Sequence, residues 1–177
     1  MESLKFTITT KMEKEDLKKF MYIVTFFRKK STIPMLITVS LLGSLWVNYA
    51  WGNVTTPGFF VVTIIMLIFI IGVIFFKIER RVKQRIKTDN TGTFGSESVL
   101  RFYEEHLEME SESFRSHSEL RYDQFYELME TKDFYMFYIS VSQAYMVRKK
   151  DIKADESVAF KEFMQSVFGA KYKRLNV

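Results

Sequence analysis

Apolar and charged residues are distributed very unevenly along the chain. Between residues 31 and 76 the sequence contains no Asp, Glu, Lys or Arg. A turn-forming segment over residues 52–57 divides this run into two apolar stretches, at about 33–51 and 58–76. Each stretch supplies close to the roughly 20 residues that an α-helix needs to cross a hydrocarbon core of about 30 Å. The pattern therefore predicts a transmembrane helical hairpin over residues 31–76.

The first 30 residues carry two shorter patterns. Apolar and polar residues alternate over residues 4–9, which predicts a strand. An amphipathic helix follows, with apolar residues at three- and four-residue spacing: Leu17, Phe20, Met21, Val24 and Phe27. The strand is available to pair with the edge of a sheet formed later in the chain. For the helix, we expect packing against the soluble part of the protein rather than a position on the inner leaflet.

In the second half of the chain, apolar and polar residues alternate with the two-residue period of a β-strand. Residues 77–90 form a basic juxtamembrane linker, helical to about residue 87, and the domain that follows covers residues 91–177. Five strands are predicted, separated by short polar breaks, at 98–103, 107–112, 121–131, 134–140 and 143–148. A helix with Asp155 as its N-cap and Gly169 at its end comes last. The predicted fold class is α+β: a membrane hairpin plus an antiparallel, curved β domain, closed or nearly so and capped by the C-terminal α-helix.

Charge predicts the orientation of the hairpin. The chain has a formal net charge of +5, but residues 91–177 hold twelve basic and fifteen acidic residues, so the excess is juxtamembrane. Because Lys and Arg resist translocation, both termini are expected in the cytoplasm. The inner-face anchors are Arg28, Lys29, Lys30, Lys77, Arg80 and Arg81. A nucleic-acid partner is not expected, because a binding domain would carry the positive excess on its own surface.

The spans themselves contain packing and interface signals but no ionisable group. Trp46, Tyr49 and Trp51 cluster where the first helix would reach the outer interface, as in an aromatic belt. Small residues at Ser40 and at 43–44 favour close helix contact. We interpret that contact as intramolecular, with a homodimer interface as the second interpretation. Without an ionisable group at membrane depth, a pump or transporter is not expected.

Candidates for catalysis or metal binding are few. The sequence has no cysteine and two histidines, His106 and His117, which we interpret as solvated residues near turns. Neither has a ligand spacing typical of a metal site, so no metal, no cofactor and no enzymatic activity are predicted. The basic run Arg148, Lys149 and Lys150 is predicted to be exposed at a strand end. It fits two interpretations: charges that protect a strand end, or a site for lipid head groups or a phosphate ligand.

The strand and turn sequences resemble those of the YcxB-like family of bacterial membrane proteins. The resemblance extends over nearly the whole chain and is carried mainly by residues 99–105, 122–131, 134–138 and 143–150. It implies a C-terminal domain similar to pleckstrin-homology (PH) folds, a position in the bacterial cytoplasmic membrane, and no catalytic residues to assign.

These observations favour a membrane-anchored, non-catalytic module that binds an unidentified ligand or protein partner on the cytoplasmic side. Two alternative interpretations belong to other functional classes. One is an immunity protein that protects the cell from a membrane-acting toxin, and the other is a membrane effector gated by a small ligand. The lipid bilayer is the one partner that the sequence itself predicts.

Overall fold

The computed structural model describes residues 3–28, 31–52, 55–89, 94–111 and 116–176. The chain divides into two compact units. One unit, called here the helical unit, covers residues 15–88, and the other, the β unit, combines residues 1–14 with residues 89–177.

Three helices form the helical unit: α1 over Lys14–Phe26, which begins one residue before it, α2 over Thr32–Ala50 and α3 over Thr56–Lys87. Both α2 and α3 are long and apolar enough to cross a membrane. Their positions agree with the two predicted stretches, and α3 continues without a break into the predicted charged extension. Pro57 lies in the first turn of α3, where a missing N–H costs no hydrogen bond.

Small residues of α2 lie at its contact with α3. Ser40 and Ser44 are fully buried, and the Ser44 hydroxyl donates a hydrogen bond to the Phe59 carbonyl at 2.9 Å. A Cβ added to Gly43 would lie 2.7 Å from the terminal carbon of Met66. The two helices therefore approach closely because these positions carry little side-chain volume, and the small residues are used for packing within one chain.

Helix α1 packs on the charged half of α3. The Tyr22 hydroxyl donates to the Glu79 carboxylate at 3.0 Å, and the Lys18 ammonium lies beside the same carboxylate. The rings of Tyr22 and Phe26 contact Phe75 with centroid distances of 5.2 and 5.7 Å. Within the helical unit, the amphipathic pattern of α1 is thus accounted for by contact with another helix.

The β unit contains two four-stranded sheets. The first has the order β1-β2-β3-β4, with strands at Phe6–Lys11, Glu97–Phe102, His106–Ser111 and Ser116–Arg121. The second has the order β7-β6-β5-β8, with β5 at Glu127–Glu130, β6 at Phe134–Tyr138, β7 at Ala144–Arg148 and β8 at Tyr172–Arg174. The N-terminal strand β1 pairs antiparallel with β2, with Phe6 opposite Phe102. Residues before the helical unit therefore complete a sheet formed by residues after it.

The predicted single meander is wrong in three places. The strand predicted over 121–131 is broken by a 3-10 turn at Tyr122–Gln124, because the Tyr122 ring is buried and its hydroxyl bonds to the Tyr103 carbonyl at 2.9 Å. Strand β4 was not predicted, since its sequence has only one apolar residue, Leu120. The three-residue β8 pairs parallel to β5, so the second sheet is mixed.

Helix α4, at Ser157–Phe168, covers the core between the sheets. The Phe160 ring is fully buried and contacts Phe6 and Phe102 of the first sheet and Tyr135 of the second, at centroid distances of 5.0 to 5.3 Å. The predicted cap at Asp155 is wrong: Glu156 occupies the cap position, without a side-chain capping bond. The predicted end at Gly169 is confirmed, and its φ of 46° explains why glycine stands there.

Candidate functional site

The three basic residues predicted as one exposed cluster do not share a surface. Arg148 is buried, with 4% of its surface exposed. Its guanidinium donates two hydrogen bonds to the Asp151 carboxylate, at 2.6 and 2.8 Å, and one to Glu13 at 2.8 Å. These charge-assisted hydrogen bonds link the end of β7 to Glu13, which follows β1, so Arg148 stabilises the β unit. The prediction that Arg148 is exposed is therefore wrong.

Lys149 and Lys150 point to different surroundings. The Lys149 ammonium lies 2.5 Å from the Glu130 carboxylate and 4.9 Å from the centroid of the Tyr135 ring. The Lys150 side chain is 62% exposed, and its ammonium lies 3.8 Å from the Glu13 carboxylate. Of the predicted cluster, Lys149 alone belongs to the site described next.

That site is centred on Glu130, the last residue of β5. Its side chain is 4% exposed, yet it carries a carboxylate. The Tyr172 hydroxyl donates to it at 2.5 Å, and Lys149 donates from the other side. Two further cations lie at 3.9 Å, Lys161 from α4 and Arg174 from β8. Three elements of the fold, β8, α4 and the 3-10 turn that carries Lys149, thus bring donors or positive charge to one buried carboxylate.

Electrostatics at Glu130 follow from these contacts. Burial by itself raises the pKa of Glu130, but the hydrogen bonds from Lys149 and Tyr172 outweigh it and lower the pKa below the ordinary value. The pKa of Tyr172 is raised, chiefly by burial and then by the hydrogen bond to Glu130. Burial also raises the pKa of Tyr135 to about 12. At neutral pH the site therefore consists of an ionised carboxylate, protonated tyrosines and cations.

An open cleft of about 380 Å³ lies beside Glu130. The residues that line it include Lys132, Lys149 and Arg174, together with Thr131 and the final described residue, Asn176. The tight turn that carries Lys132 is closed by the Thr131 N–H, which donates to the Phe134 carbonyl at 2.8 Å. The tail beyond β8 is held by the Leu175 N–H, which donates to the Glu130 carbonyl at 2.8 Å. Hydrogen-bonded backbone therefore supports both sides of the cleft.

This site was not predicted from the sequence. Glu130, Lys149 and Tyr172 come together only because β8 returns along β5, and a three-residue parallel strand has too little pattern to be predicted. Glu130 is one of two acidic residues in the four-residue strand β5, and a solvated position explains such a residue equally well.

The histidines are in different environments from those predicted. His106 is the first residue of β3, its side chain is only 12% exposed, and its ring stacks on Tyr103 with a centroid distance of 4.6 Å. The prediction of a solvated turn residue is wrong for His106. His117 lies in β4 and is exposed. Among the residues that the structure describes, no group of three or more His, Asp or Glu side chains could hold a metal ion.

The predicted membrane anchors are placed on the helical unit. Lys77, Arg80 and Arg81 are exposed on α3, and Arg28 follows α1. Lys29 and Lys30 lie outside the described residues, as do residues 53–54 of the loop and residues 90–93 of the linker. Trp46, Tyr49 and Trp51 are 72–82% exposed at the end of α2.

Comparison with known proteins gives one match. Residues 102–164, from the end of β2 into α4, match a family model described as YcxB-like protein. The resemblance seen in the sequence is confirmed over this segment. Neither the curated proteins nor the solved structures gave a match.

Proposed function

We propose that this chain, with its YcxB-like segment at residues 102–164, is a module anchored in the bacterial cytoplasmic membrane that acts by binding and not by catalysis. In this proposal α2 and α3 cross the bilayer, and the β unit lies in the cytoplasm. The β unit, with two sheets and α4 between them, supports a PH-like interpretation.

One observation carries the proposal: the apolar surface of α2 and α3 is exposed. None of the most apolar segment of α3 is buried inside the protein. Large side chains on α3 are more than half exposed, among them Phe60, Ile64, Ile68, Phe69 and Phe76. Water-soluble proteins rarely leave contiguous apolar surface of this extent uncovered, whereas hydrocarbon solvates it without cost.

The cytoplasmic placement of the β unit rests on the charges beside the hairpin. Residues 77–90 carry six basic and two acidic residues, and Lys77, Arg80 and Arg81 are exposed directly after the apolar part of α3. Basic residues this close to a span are retained on the cytoplasmic side. Because the hairpin returns the chain to the side on which it started, both termini share that side.

Cell fractionation with reporter fusions tests the proposal. The full chain is expressed with green fluorescent protein or with alkaline phosphatase at its C-terminus, and membranes are washed with alkaline carbonate. We expect the chain to stay in the washed membranes, with a fluorescent first fusion and an inactive second one. Release by carbonate would refute the anchor, and an active phosphatase would refute the cytoplasmic placement.

A further inference from the structure

We infer that the cleft beside Glu130 is a binding site for a phosphate-type anion, held by Lys132, Lys149 and Arg174. This inference rests on the proposed function, because it names the ligand class of the binding module. The same chemistry is found in a lipid head group and in a soluble phosphate compound.

Charge is the first argument. Three cations line the cleft, and among the described residues that line it Glu130 carries the one carboxylate. That carboxylate is already shared by Lys149, Arg174, Lys161 and the Tyr172 hydroxyl. A single negative charge cannot neutralise three lining cations, so the cleft keeps a positive excess that an anion would balance.

The exposed cations at the mouth are the second argument. Arg174 is 64% exposed and lies 3.9 Å from Glu130, beyond hydrogen-bond distance, so its planar donor face is available to a second acceptor. Lys132 is exposed at the turn after β5, and it has no acidic partner within the described part of the chain. Asp133 follows it in the sequence but does not line the cleft.

Preorganisation is the third argument. Lys149 is held between the Glu130 carboxylate and the face of Tyr135. Glu130 is fixed in turn by Tyr172 and by the backbone pairing of β5 with the tail after β8. A buried carboxylate that orients a lysine lowers the entropy that the lysine would lose on binding an anion. Glu130 is a positioning residue in this arrangement, and the three cations are the ones that contact the ligand.

An ion pair outside the cleft provides a comparison. In the same strand, Lys173 lies 2.6 Å from Glu127 on the opposite face of β8. Neither residue lines the cleft. Lys173 is therefore a matched control: adjacent to Arg174 in sequence, similarly exposed, and outside the proposed site.

Amine footprinting on the full chain tests the inference. The protein is placed in nanodiscs of phosphatidylcholine, and acetylation of Lys132 and Lys149 is measured by mass spectrometry as inorganic pyrophosphate is added. A second arm uses nanodiscs that contain phosphatidylglycerol and no pyrophosphate. Lys153, which is exposed and does not line the cleft, reports general changes in reactivity.

We expect slower acetylation of Lys132 and Lys149, but not of Lys153, in at least one arm. Protection by pyrophosphate identifies a soluble phosphate ligand, and protection by phosphatidylglycerol alone identifies a head group. In the arm that protects, Arg174→Gln and Lys132→Gln should each weaken apparent binding about tenfold, whereas Lys173→Gln should leave it unchanged.

Two results would overturn the inference: no protection in either arm, or equal weakening by Lys173→Gln, which would mean that only a diffuse positive field attracts the anion. Every arm uses protein that is already reconstituted in lipid, so a negative result for anion binding would not contradict the proposed membrane anchor.

Discussion

Arg148 donates a hydrogen bond of 2.8 Å to Glu13, which lies 135 residues earlier in the chain. Glu13 follows β1 and comes immediately before α1, while Arg148 ends β7. The same guanidinium is bound by Asp151, whose carboxylate also accepts a hydrogen bond from the Thr10 hydroxyl at 2.6 Å. The segment between β1 and α1 is thus bound to the second sheet by a hydrogen-bond network around Arg148.

Loss of Arg148 is expected to destabilise the β unit strongly. Arg148→Ala leaves the largely buried Asp151 carboxylate without its counter-ion, a change that typically costs about 3 kcal/mol or more. Hydrogen–deuterium exchange of the amides in β1 and β7 should accelerate in detergent-solubilised full-length protein. Lys150→Ala, at an exposed neighbouring position, should alter stability by no more than about 0.5 kcal/mol. Equal effects of the two substitutions would contradict the role assigned to Arg148.

Acid should weaken the β unit through Glu130. The pKa of Glu130 is lowered in the folded protein, so the unfolded state binds its proton first as the pH falls. The stabilising contribution is therefore complete above the ordinary pKa of about 4.5 and is lost as the pH falls through the native value.

The Glu130→Gln variant checks this linkage. It should be less stable than the unmodified chain at neutral pH, because Lys149 and Tyr172 lose a charged acceptor. The stability of the variant should also fall less steeply in acid, measured by urea unfolding followed by far-ultraviolet circular dichroism. Glu119→Gln, in the exposed strand β4, serves as the control and should leave the acid dependence unchanged. An unaltered acid slope in Glu130→Gln would show that Glu130 does not carry the effect.

Much of the architecture was predictable because it depends on short-range pattern. The uncharged run predicted α2 and the start of α3. The alternation of apolar and polar residues predicted β1, β2, β3, β6 and β7, with bounds correct to within about two residues. The α4 stripe, with Phe160 and Met164 buried, followed from helical spacing in the same way.

What could not be predicted depends on residues far apart in sequence. Arg148 looks exposed beside Lys149 and Lys150, and only Glu13 and Asp151 explain its burial. The cleft at Glu130 depends on β8, whose position along β5 no local pattern specifies. Ion pairs between residues far apart in sequence thus determine the geometry of the site, whereas local patterns of apolar residues determine where the helices and strands form.

Contact between α2 and α3 should be sensitive to volume at Gly43. A side chain there would meet the terminal methyl and sulfur of Met66, so Gly43→Leu is expected to displace the Met66 side chain from the helix contact and cost about 1–3 kcal/mol. Gly72→Leu is the matched control, because nothing lies within 4 Å of a Cβ added at that position of α3. Fluorescence of Trp46 and Trp51, the two tryptophans of the chain, reports unfolding of the hairpin in detergent. Equal stability of the two variants would contradict the close approach at Gly43.

A charge on the exposed apolar surface of α3 should oppose membrane insertion. Phe69→Lys places an ammonium near the middle of the apolar segment, at a cost of about 2.5–3.5 kcal/mol. We expect a smaller fraction of the chain in carbonate-washed membranes. Val158→Lys is the control, because Val158 is 68% exposed, close to the 69% of Phe69, but lies on α4 of the β unit. If both variants fractionate alike, the exposed face of α3 does not contact lipid.

Cysteine labelling tests the membrane-anchored arrangement most directly, because the chain has no native cysteine. Thr55→Cys lies in the loop before α3, and Val158→Cys lies on α4. With a membrane-impermeant maleimide, we predict that intact cells label Thr55→Cys, and that Val158→Cys reacts only after the cells are lysed. Labelling of Val158→Cys in intact cells, or protection of both cysteines until lysis, would contradict a hairpin that holds the β unit on the cytoplasmic face.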